Sequence, residues 1–258
     1  MSASTRASPG VTAVIAAHNE SANIEECIAS VEWTSEVIVV ENNSIDDTVD
    51  RARSAGATVI SPPFTTIGAA RNQAIVRAKT PWILVLDADE RCTPELAAEI
   101  QQLLRTTDLQ AFRVPRRNFF LGKEIRHGGW GSDKPIRLFR RDLRYNANLV
   151  HEHVDVPAGS AIGELTNSLL HYTYASLDQY FEKFDRYSRW WAEQNFAKGR
   201  RTSAAAIFFK PPARFVRMYV LKGGFRDGAR GVVLACLAAA SVMAKYARLW
   251  EKGLRRDG

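Results

Sequence analysis

At 258 residues, with 46% hydrophobic and 24% charged side chains, the chain has the composition of a folded globular protein, enough for one large domain or a catalytic domain with an appendage. Its three cysteines, Cys27, Cys92 and Cys236, are odd in number and widely spaced, which gives neither a disulfide framework nor zinc spacing and makes them expected buried thiols. The net charge of +7 is uneven: residues 1–197 carry 21 Lys or Arg against 25 Asp or Glu, net −4, whereas residues 198–258 carry 14 against 3, net +11. Such a basic block points to nucleic acid or to an anionic membrane surface.

Met1 to Ser8 are small and polar, read as a disordered N-terminus. They lack the apolar stretch of a signal peptide, which places the protein in the cytosol as an expectation. Val11 to Ala17 reads as a buried strand ending in His18-Asn19-Glu20. A helix then presents Ile24, Cys27, Ile28 and Val31 on one face, with Ser21 as its expected cap and Glu25 and Glu26 in its first turn. Val37 to Val40 is a second strand, closed by Glu41-Asn42-Asn43-Ser44. Asp46 and Asp47 open a helix that Gly56 ends, and Ala57 to Ile60 is a third strand. Ile67 to Lys79 reads as a helix and Trp82 to Leu86 as a fourth strand, leading into Asp87-Ala88-Asp89-Glu90. Thr93 and Pro94 open a helix to about Arg105. Short strands with Gly turns follow over 111–156, and an aromatic helix over Leu177 to Ala197.

Near-continuous apolar strands alternating with helices predict an α/β fold with a mostly parallel sheet covered on both faces. Ligands bind beyond the carboxyl ends of such strands, so the polar clusters at 18–20, 41–46 and 87–90 are expected to meet at one crevice. Two carboxylates one residue apart, Asp87 and Asp89, offer the oxygen donors that Mg²⁺ or Mn²⁺ prefer, and such an ion neutralises a leaving diphosphate.

The segments V-I-A-A-H-N-E at 14–20, V-I-V-V-E-N-N-S-I-D-D-T at 37–48, G-A-A-R-N-Q-A at 68–74 and L-V-L-D-A-D-E at 84–90 come in a family's order and spacing. From the N-terminus to about position 110 the chain resembles the inverting family 2 glycosyltransferases of the GT-A, Rossmann-like fold. The resemblance implies nucleotide-sugar contacts from Ala17, Asn19, Glu20, Glu41, Arg71, Asp87 and Ala88. Glu41 stands where the family usually has Asp, against the nucleotide base, and Arg71 is implied at the base or diphosphate. Asn72 is read as support for the neighbouring loop. Asp89 is implied as the direct ligand of the divalent cation, with Asp87 as a ribose or metal-shell ligand.

Inversion needs a carboxylate to take the proton of the acceptor hydroxyl. Gly128-Gly129-Trp130-Gly131-Ser132-Asp133, Arg137-Leu138-Phe139-Arg140 and Val150-His151-Glu152 resemble a subgroup acting on bacterial lipopolysaccharide core. By that match Glu152 is the base, with Asp133 as the alternative, and Trp130 and Arg137 belong to the acceptor site. Trp130 in a Gly-rich loop equally suits stacking on a sugar or plugging a core gap. His127, His151 and His153 suggest zinc, but no Cys and no H-E-x-x-H accompanies them.

The apolar run Gly231 to Ala244 spans 14 residues, short of the roughly 20 a transmembrane helix needs. With its cations and aromatics it reads as a helical, membrane-associating appendage, interfacial or shallowly embedded. The tail also resembles the ending of lipopolysaccharide core glucosyltransferases. The expected organisation is therefore a catalytic domain over 9–197, with a nucleotide-sugar half over 9–110 and an acceptor half over 111–197, followed by the basic tail 198–258. The expected activity is transfer of a hexose, glucose from UDP-glucose, to an inner-core sugar such as heptose, at the inner face of the inner membrane. A transferase acting on polyprenyl phosphate or another lipid-linked glycan shares the same N-terminal segments. A nucleotidyltransferase lacks the Gly-rich basic loop it needs near residues 11–20, and a nucleic-acid binder lacks any known motif, so no nucleic-acid partner is expected.

Overall fold

A computed structural model of the chain describes residues 9–63, 66–146 and 152–254. The disorder expected of residues 1–8 lies outside them, as do Val150 and His151 of the segment that ends at Glu152. Two compact units emerge: residues up to Arg116 together with Lys134–His171, and Arg117–Asp133 together with Tyr172 onward.

The first unit is built on a seven-stranded sheet. Its strands are β1 (Val11–Ala17), β2 (Glu36–Glu41), β3 (Thr58–Ile60), β4 (Trp82–Asp87), β6 (Ala111–Arg113), β9 (Ile136–Arg140) and β12 (Gly163–Glu164). Their order is β12-β6-β9-β4-β1-β2-β3. β1 pairs in parallel with both β2 and β4, and β9 runs antiparallel to β4 and β6. The two central strands are apolar on both faces because both faces are covered. Ile15, Leu84 and Leu86 pack on one side with α1 (Ile24–Ala29), α2 (Thr48–Ser54) and α4 (Pro94–Leu103), while Val14, Ile83 and Val85 pack on the other with α3 (Ile67–Arg77). This is the parallel-rich α/β architecture, covered on both faces, that the strand–helix alternation predicted.

Side-chain caps fix the starts of α3 and α4. Thr66 and Thr93 accept hydrogen bonds from the amides of Ala69 and Leu96, at 3.0 and 3.2 Å. Ser21 is not the cap of α1 that the sequence suggests. Asn23 occupies that position without a side-chain capping bond, Glu20 O accepts from the Ile24 amide, and the Ser21 amide donates to Asp46 at 3.1 Å. The Ser21 side chain also bonds Asp46, so the loop after β1 is drawn toward the loop after β2 and the hydroxyl is not available to α1. A short strand β5 (Glu90–Cys92) follows the carboxylate motif and pairs antiparallel with β13 (Leu169–Tyr174), setting His171 opposite Glu90. A minor pair, β10 (Arg144–Tyr145) and β11 (Val154–Asp155), lies next to α3. Gly68 permits that approach: a Cβ there would lie 3.2 Å from Asn146 O and 3.4 Å from the Cβ of Glu152.

In the second unit β7 (Arg116–Phe120) and β8 (Lys123–Ile125) form a hairpin. Leu121 and Gly122, at φ 48° and 73°, supply the two left-handed residues its tight turn needs. Phe120, Ile125, Tyr180, Met218, Leu234 and Ala235 make a small core. Around it run α5 (Leu177–Ala197), capped by Ser176, then α6 (Ala204–Val216) and α7 (Ala229–Leu254). A π-turn at Arg217–Leu221 and a 3₁₀ turn at Gly224–Asp227 join the last two helices.

Two expectations are corrected here. Cys236 is exposed on α7, whereas Cys27 and Cys92 are buried, with burial pushing the Cys92 thiol up to about 12. The apolar run of the tail sits inside a 26-residue helix that is long and apolar enough, by length and composition, to cross a membrane. The helix continues because Lys245, Arg248 and Lys252 lie along it without breaking its period, and two of them reach acids on α5: Arg248 to Asp185, and Lys252 to Glu193 at 3.9 Å.

Candidate active site

The register of the central strands brings the predicted residues together. Ala17 pairs with Glu41 and Ala16 with Asp87, so β1, β2 and β4 end at one level. The loops beyond them are tied by short-range polar bonds. Asn19 accepts from the Ile45 amide at 2.9 Å, the Asn19 amide donates to Ser44 Oγ at 3.0 Å, and the Glu20 amide donates to Thr48 Oγ1 at 2.8 Å. Asn19 and Asn43 take left-handed backbone conformations, φ 54° and 51°, that Asn tolerates better than most side chains. Asp46 closes this loop. Burial alone would raise its carboxyl pKa, but donors from Thr48 and Ser21 outweigh it and hold the value at about 2.

Glu41 is buried, and both carboxylate oxygens are engaged, one by the Ser44 amide and one by Ser61 Oγ at 2.8 Å. Ala17 and Ala88 are buried at the strand ends, with the Ala88 amide bonded to Ala16 O at 3.2 Å. These small side chains leave backbone, rather than side chain, at the mouth of the sheet.

Beneath the mouth lies a chain of alternating charges. Arg71, on α3, reaches Asp87 with one guanidinium nitrogen and Glu152 with the other at 3.3 Å. Arg137, on β9, bonds Asp87 at 2.6 Å and Glu90 at 2.9 Å, and Arg116 bonds Glu90 at 2.9 Å. Three arginines thus alternate with three carboxylates. Burial by itself would push the Asp87 carboxyl up, but the Arg137 and Arg71 guanidiniums override it and hold it well below the usual carboxylate range. Both arginines are in turn held more firmly protonated, burial opposing and Asp87 prevailing. Arg137, expected at the acceptor, is 4% exposed and spends its reach on Asp87 and Glu90. Its place follows from β9 lying antiparallel against β4, a pairing that sequence period does not reveal. Asn72 clamps the backbone of Tyr145, donating to its carbonyl at 2.8 Å and accepting from its amide at 2.9 Å, and so fixes β10, whose partner β11 follows Glu152.

Asp89 is buried, and His171 Nε2 stands 3.6 Å from its Oδ1. The sequence reading missed His171. It lies far downstream, and only the β5–β13 pairing brings it to the motif. A His in a strand whose register faces D-A-D-E was the sole signal that could have found it.

Trp130 and Asp133 belong to the second unit. There Trp130 is half-buried and packs against the small core: its carbonyl accepts from Asn118 Nδ2 at 2.6 Å, and its ring lies 6.4 Å from that of Tyr174. Asp133 is half-buried.

The model of the glycosyl transferase family 2 matches residues 12–162. A lipopolysaccharide core biosynthesis glycosyltransferase, LpsC, of Rhizobium meliloti (strain 1021) is 30% identical over 250 residues, covering 94% of this chain and 92% of that protein. An uncharacterized glycosyltransferase of Rickettsia typhi is 28% identical over 257 residues, covering 95% and 88%. Among solved structures, glucosyl-3-phosphoglycerate synthase from Mycobacterium tuberculosis, in complex with Mn²⁺, UDP and glucosyl-3-phosphoglycerate, aligns with a TM-score of 0.38 at 25% identity. That overlap spans 42% of this chain and 44% of that one.

Proposed function

The chain belongs to glycosyl transferase family 2, and on that footing we propose that it moves a hexose, glucose from UDP-glucose, with inversion onto an inner-core sugar of lipopolysaccharide such as heptose. The LpsC protein, similar over nearly the whole of both chains, supports the acceptor class by its name. The observation that carries the chemistry is the placement of Asp87 and Asp89 at the end of β4, level with Glu41, and the ion pair that links Arg71 to both Asp87 and Glu152.

In this reading Glu41, oriented by Ser44 and Ser61, receives an N–H of the base, and Asn19, Glu20, Ala17 and Ala88 line the nucleotide path with mostly backbone groups. Asp87, fixed by two arginines, accepts from the ribose hydroxyls. Asp89 and His171 fit a divalent ion, Mg²⁺ or Mn²⁺. The carboxylate oxygen is the donor both ions prefer, and the imidazole nitrogen is a better donor to Mn²⁺ than to Mg²⁺. No group of three His, Cys, Asp or Glu placed to hold a metal ion occurs among the described residues, so a bound ion would draw its remaining ligands from the nucleotide sugar and water. The ion, when bound, neutralises charge on the departing diphosphate. Arg71, buried beside the same path, is the candidate cation for the diphosphate. Glu152 accepts the proton of the acceptor hydroxyl as its oxygen bonds the anomeric carbon, and UDP leaves from the opposite face. The acceptor is lipid-anchored, so the enzyme works on the cytoplasmic side of the inner membrane.

The test is release of nucleoside diphosphate from a panel of nucleotide sugars, with and without delipidated core acceptor. UDP release from UDP-glucose that needs the acceptor, stops with EDTA and is lost in Asp89→Ala and Glu152→Gln is the expected result. Retention of rate in Glu152→Gln with loss in Asp133→Asn would move the base to Asp133. Transfer to polyprenyl phosphate in preference to the core would overturn the acceptor, and pyrophosphate formed from UTP and a sugar phosphate would overturn the transferase.

A further inference from the structure

From Gln194 to Arg226 the chain has no acidic residue and eight cations. Helix α6 and the π-turn after it lie in this stretch, and α6 buries none of its residues completely. Its apolar side chains nevertheless fall into two sets. Ile207, Pro211, Phe215 and Met218 are half-buried or buried, on the side where α6 packs along α7. Phe209, Pro212, Val216 and Val220 form a second stripe, roughly 150° around the helix from the first at 3.6 residues per turn. That stripe faces solvent: Phe209 is 66% exposed, Val216 47% and Val220 53%, and at its ends Phe208 is 73% and Leu221 76% exposed. A surface helix ordinarily keeps its second face polar. This one is apolar on two opposite faces, with Lys210, Arg214 and Arg217 exposed along one flank between them.

We propose that the outward stripe of α6, continued through Val220 and Leu221, is the surface by which the protein seats on an anionic phospholipid bilayer, lying in the plane of the interface. An exposed apolar stripe bordered by cations has the chemistry of an in-plane membrane helix: the stripe enters the acyl boundary while the flanking Arg214 and Arg217 meet lipid phosphates. Charge complementarity selects this occupant, because the segment has eight positive charges and nothing to repel an anionic leaflet. Pro211 and Pro212 fit the same role. They remove two amide donors from the helix, and the carbonyls so freed are satisfied by water at an interface but not in a hydrocarbon core.

The inference rests on the membrane-side placement proposed above, and it moves the contact from α7 to α6. Although α7 is long enough to span, it is fastened near its C-terminal end to α5 and α6. Lys210 Nζ donates to Tyr246 at 2.6 Å, the Trp191 and Tyr246 rings are 5.0 Å apart, and Arg248 pairs with Asp185 on α5. Insertion of α7 across a bilayer would either break these contacts or carry Asp185 into hydrocarbon.

The full chain, incubated with vesicles of phosphatidylcholine alone or mixed with phosphatidylglycerol and then sedimented, tests this without donor or acceptor sugar, so its outcome is independent of the transferase reading. Binding should require phosphatidylglycerol and weaken at high salt. Phe209→Ser with Val216→Ser should lower the vesicle partition coefficient roughly tenfold. Met243→Ser with Trp250→Ser, on the exposed side of α7, should leave it unchanged. Far-ultraviolet circular dichroism and the thermal midpoint should be the same in parent and stripe variant, which checks folding. The proposal is overturned if the stripe variant partitions like the parent, or if the α7 variant is the one released. It also falls if the protein stays in the pellet through an alkaline carbonate wash, the mark of a spanning helix. Light scattering that shows a vesicle-free dimer dissolved by the stripe variant would assign the stripe to a second copy of the chain instead.

Discussion

In the first unit Glu90, Arg71 and Arg137 lie in the interior and Asp87 at its edge, every charge answered by an opposite one within hydrogen-bond reach. In the second unit the order is reversed: Phe208, Phe209 and Leu221 stand in solvent, while Arg189, Arg126 and Lys198 decorate the surface. Charges taken out of water are held by geometry, so their positions are fixed and a small substitution is felt strongly. Apolar groups left in water are held by little, so substitution costs the fold little and the surface is free to serve a partner. The contrast separates a unit whose charges are buried and paired from one whose apolar side chains are left in water.

The largest expected effect strikes the first unit without unfolding it. Asp89→Ala should lower kcat by about 10³-fold, in the range seen when a preorganised charge at a reacting phosphate is removed, while His171→Ala should chiefly raise the Mg²⁺ or Mn²⁺ concentration needed for half-maximal rate. Normal metal dependence in the His171 variant would detach that residue from the ion. Next comes stability. Arg137→Met leaves Asp87 and Glu90 each short of a buried partner and should cost about 3–5 kcal/mol in urea unfolding. In the second unit, Arg189→Ala, whose Asp185 partner lies on an exposed helix face, should leave the midpoint within error. Equal losses at both positions would erase the contrast.

Much of the first unit was legible because its signals are local. Each of β1, β2 and β4 is an apolar run closed by a polar cluster, and Thr93-Pro94 announces α4 at its first turn. Helix α5 likewise occupies the 177–197 span read from its period. What stayed hidden depends on pairing between distant segments. His171 meets Asp89 only through the β5–β13 ladder, and Arg137 meets Asp87 only because β9 inserts antiparallel beside β4. Helix α7 was cut short for another reason. Counting uninterrupted apolar residues stops at Lys245, whereas a helix accepts a cation wherever the lattice of neighbours offers an acid or water. The outward stripe of α6 was hidden in turn because its residues are apolar on both faces, and composition does not say which face is covered.

Acid titration sharpens the comparison. Against the upward push of burial, the donors around Asp46 hold its pKa at about 2 in the fold. Glu124, on β8 in the second unit, is held at about 2 by its hydrogen bond from Arg117, against burial and with help from Arg126. Both groups titrate lower in the folded than in the unfolded chain, where carboxyls ionise at about 4. Their stabilisation is therefore complete above about pH 5 and is lost as the pH falls from there toward about 2. Asp46→Asn and Glu124→Gln should each flatten the dependence of unfolding free energy on pH in that window. The two differ in their response to salt: Arg117 and Arg126 are exposed, so molar NaCl should erode the Glu124 contribution, whereas the neutral donors Ser21 and Thr48 leave that of Asp46 largely intact. Equal salt sensitivity would mean that both loops are held by charge alone.

The smallest effect is the most pointed test of the second unit. Phe120 and Phe209 are the same residue type, one with no exposed surface and the other two-thirds in solvent. Phe120→Ala removes a ring from the core shared with Tyr180 and Leu234 and should cost about 3–5 kcal/mol. Phe209→Ser removes a ring already wet and should change the unfolding free energy by less than about 0.5 kcal/mol, measured on dilute protein in the absence of lipid. A loss above that, growing with protein concentration, would show the ring covered by another copy in solution. A loss above that at every concentration would mean that Phe209 packs within its own chain. With neither, the stripe contributes nothing to the isolated fold, and whatever maintains these apolar side chains on an outward face acts outside the fold itself.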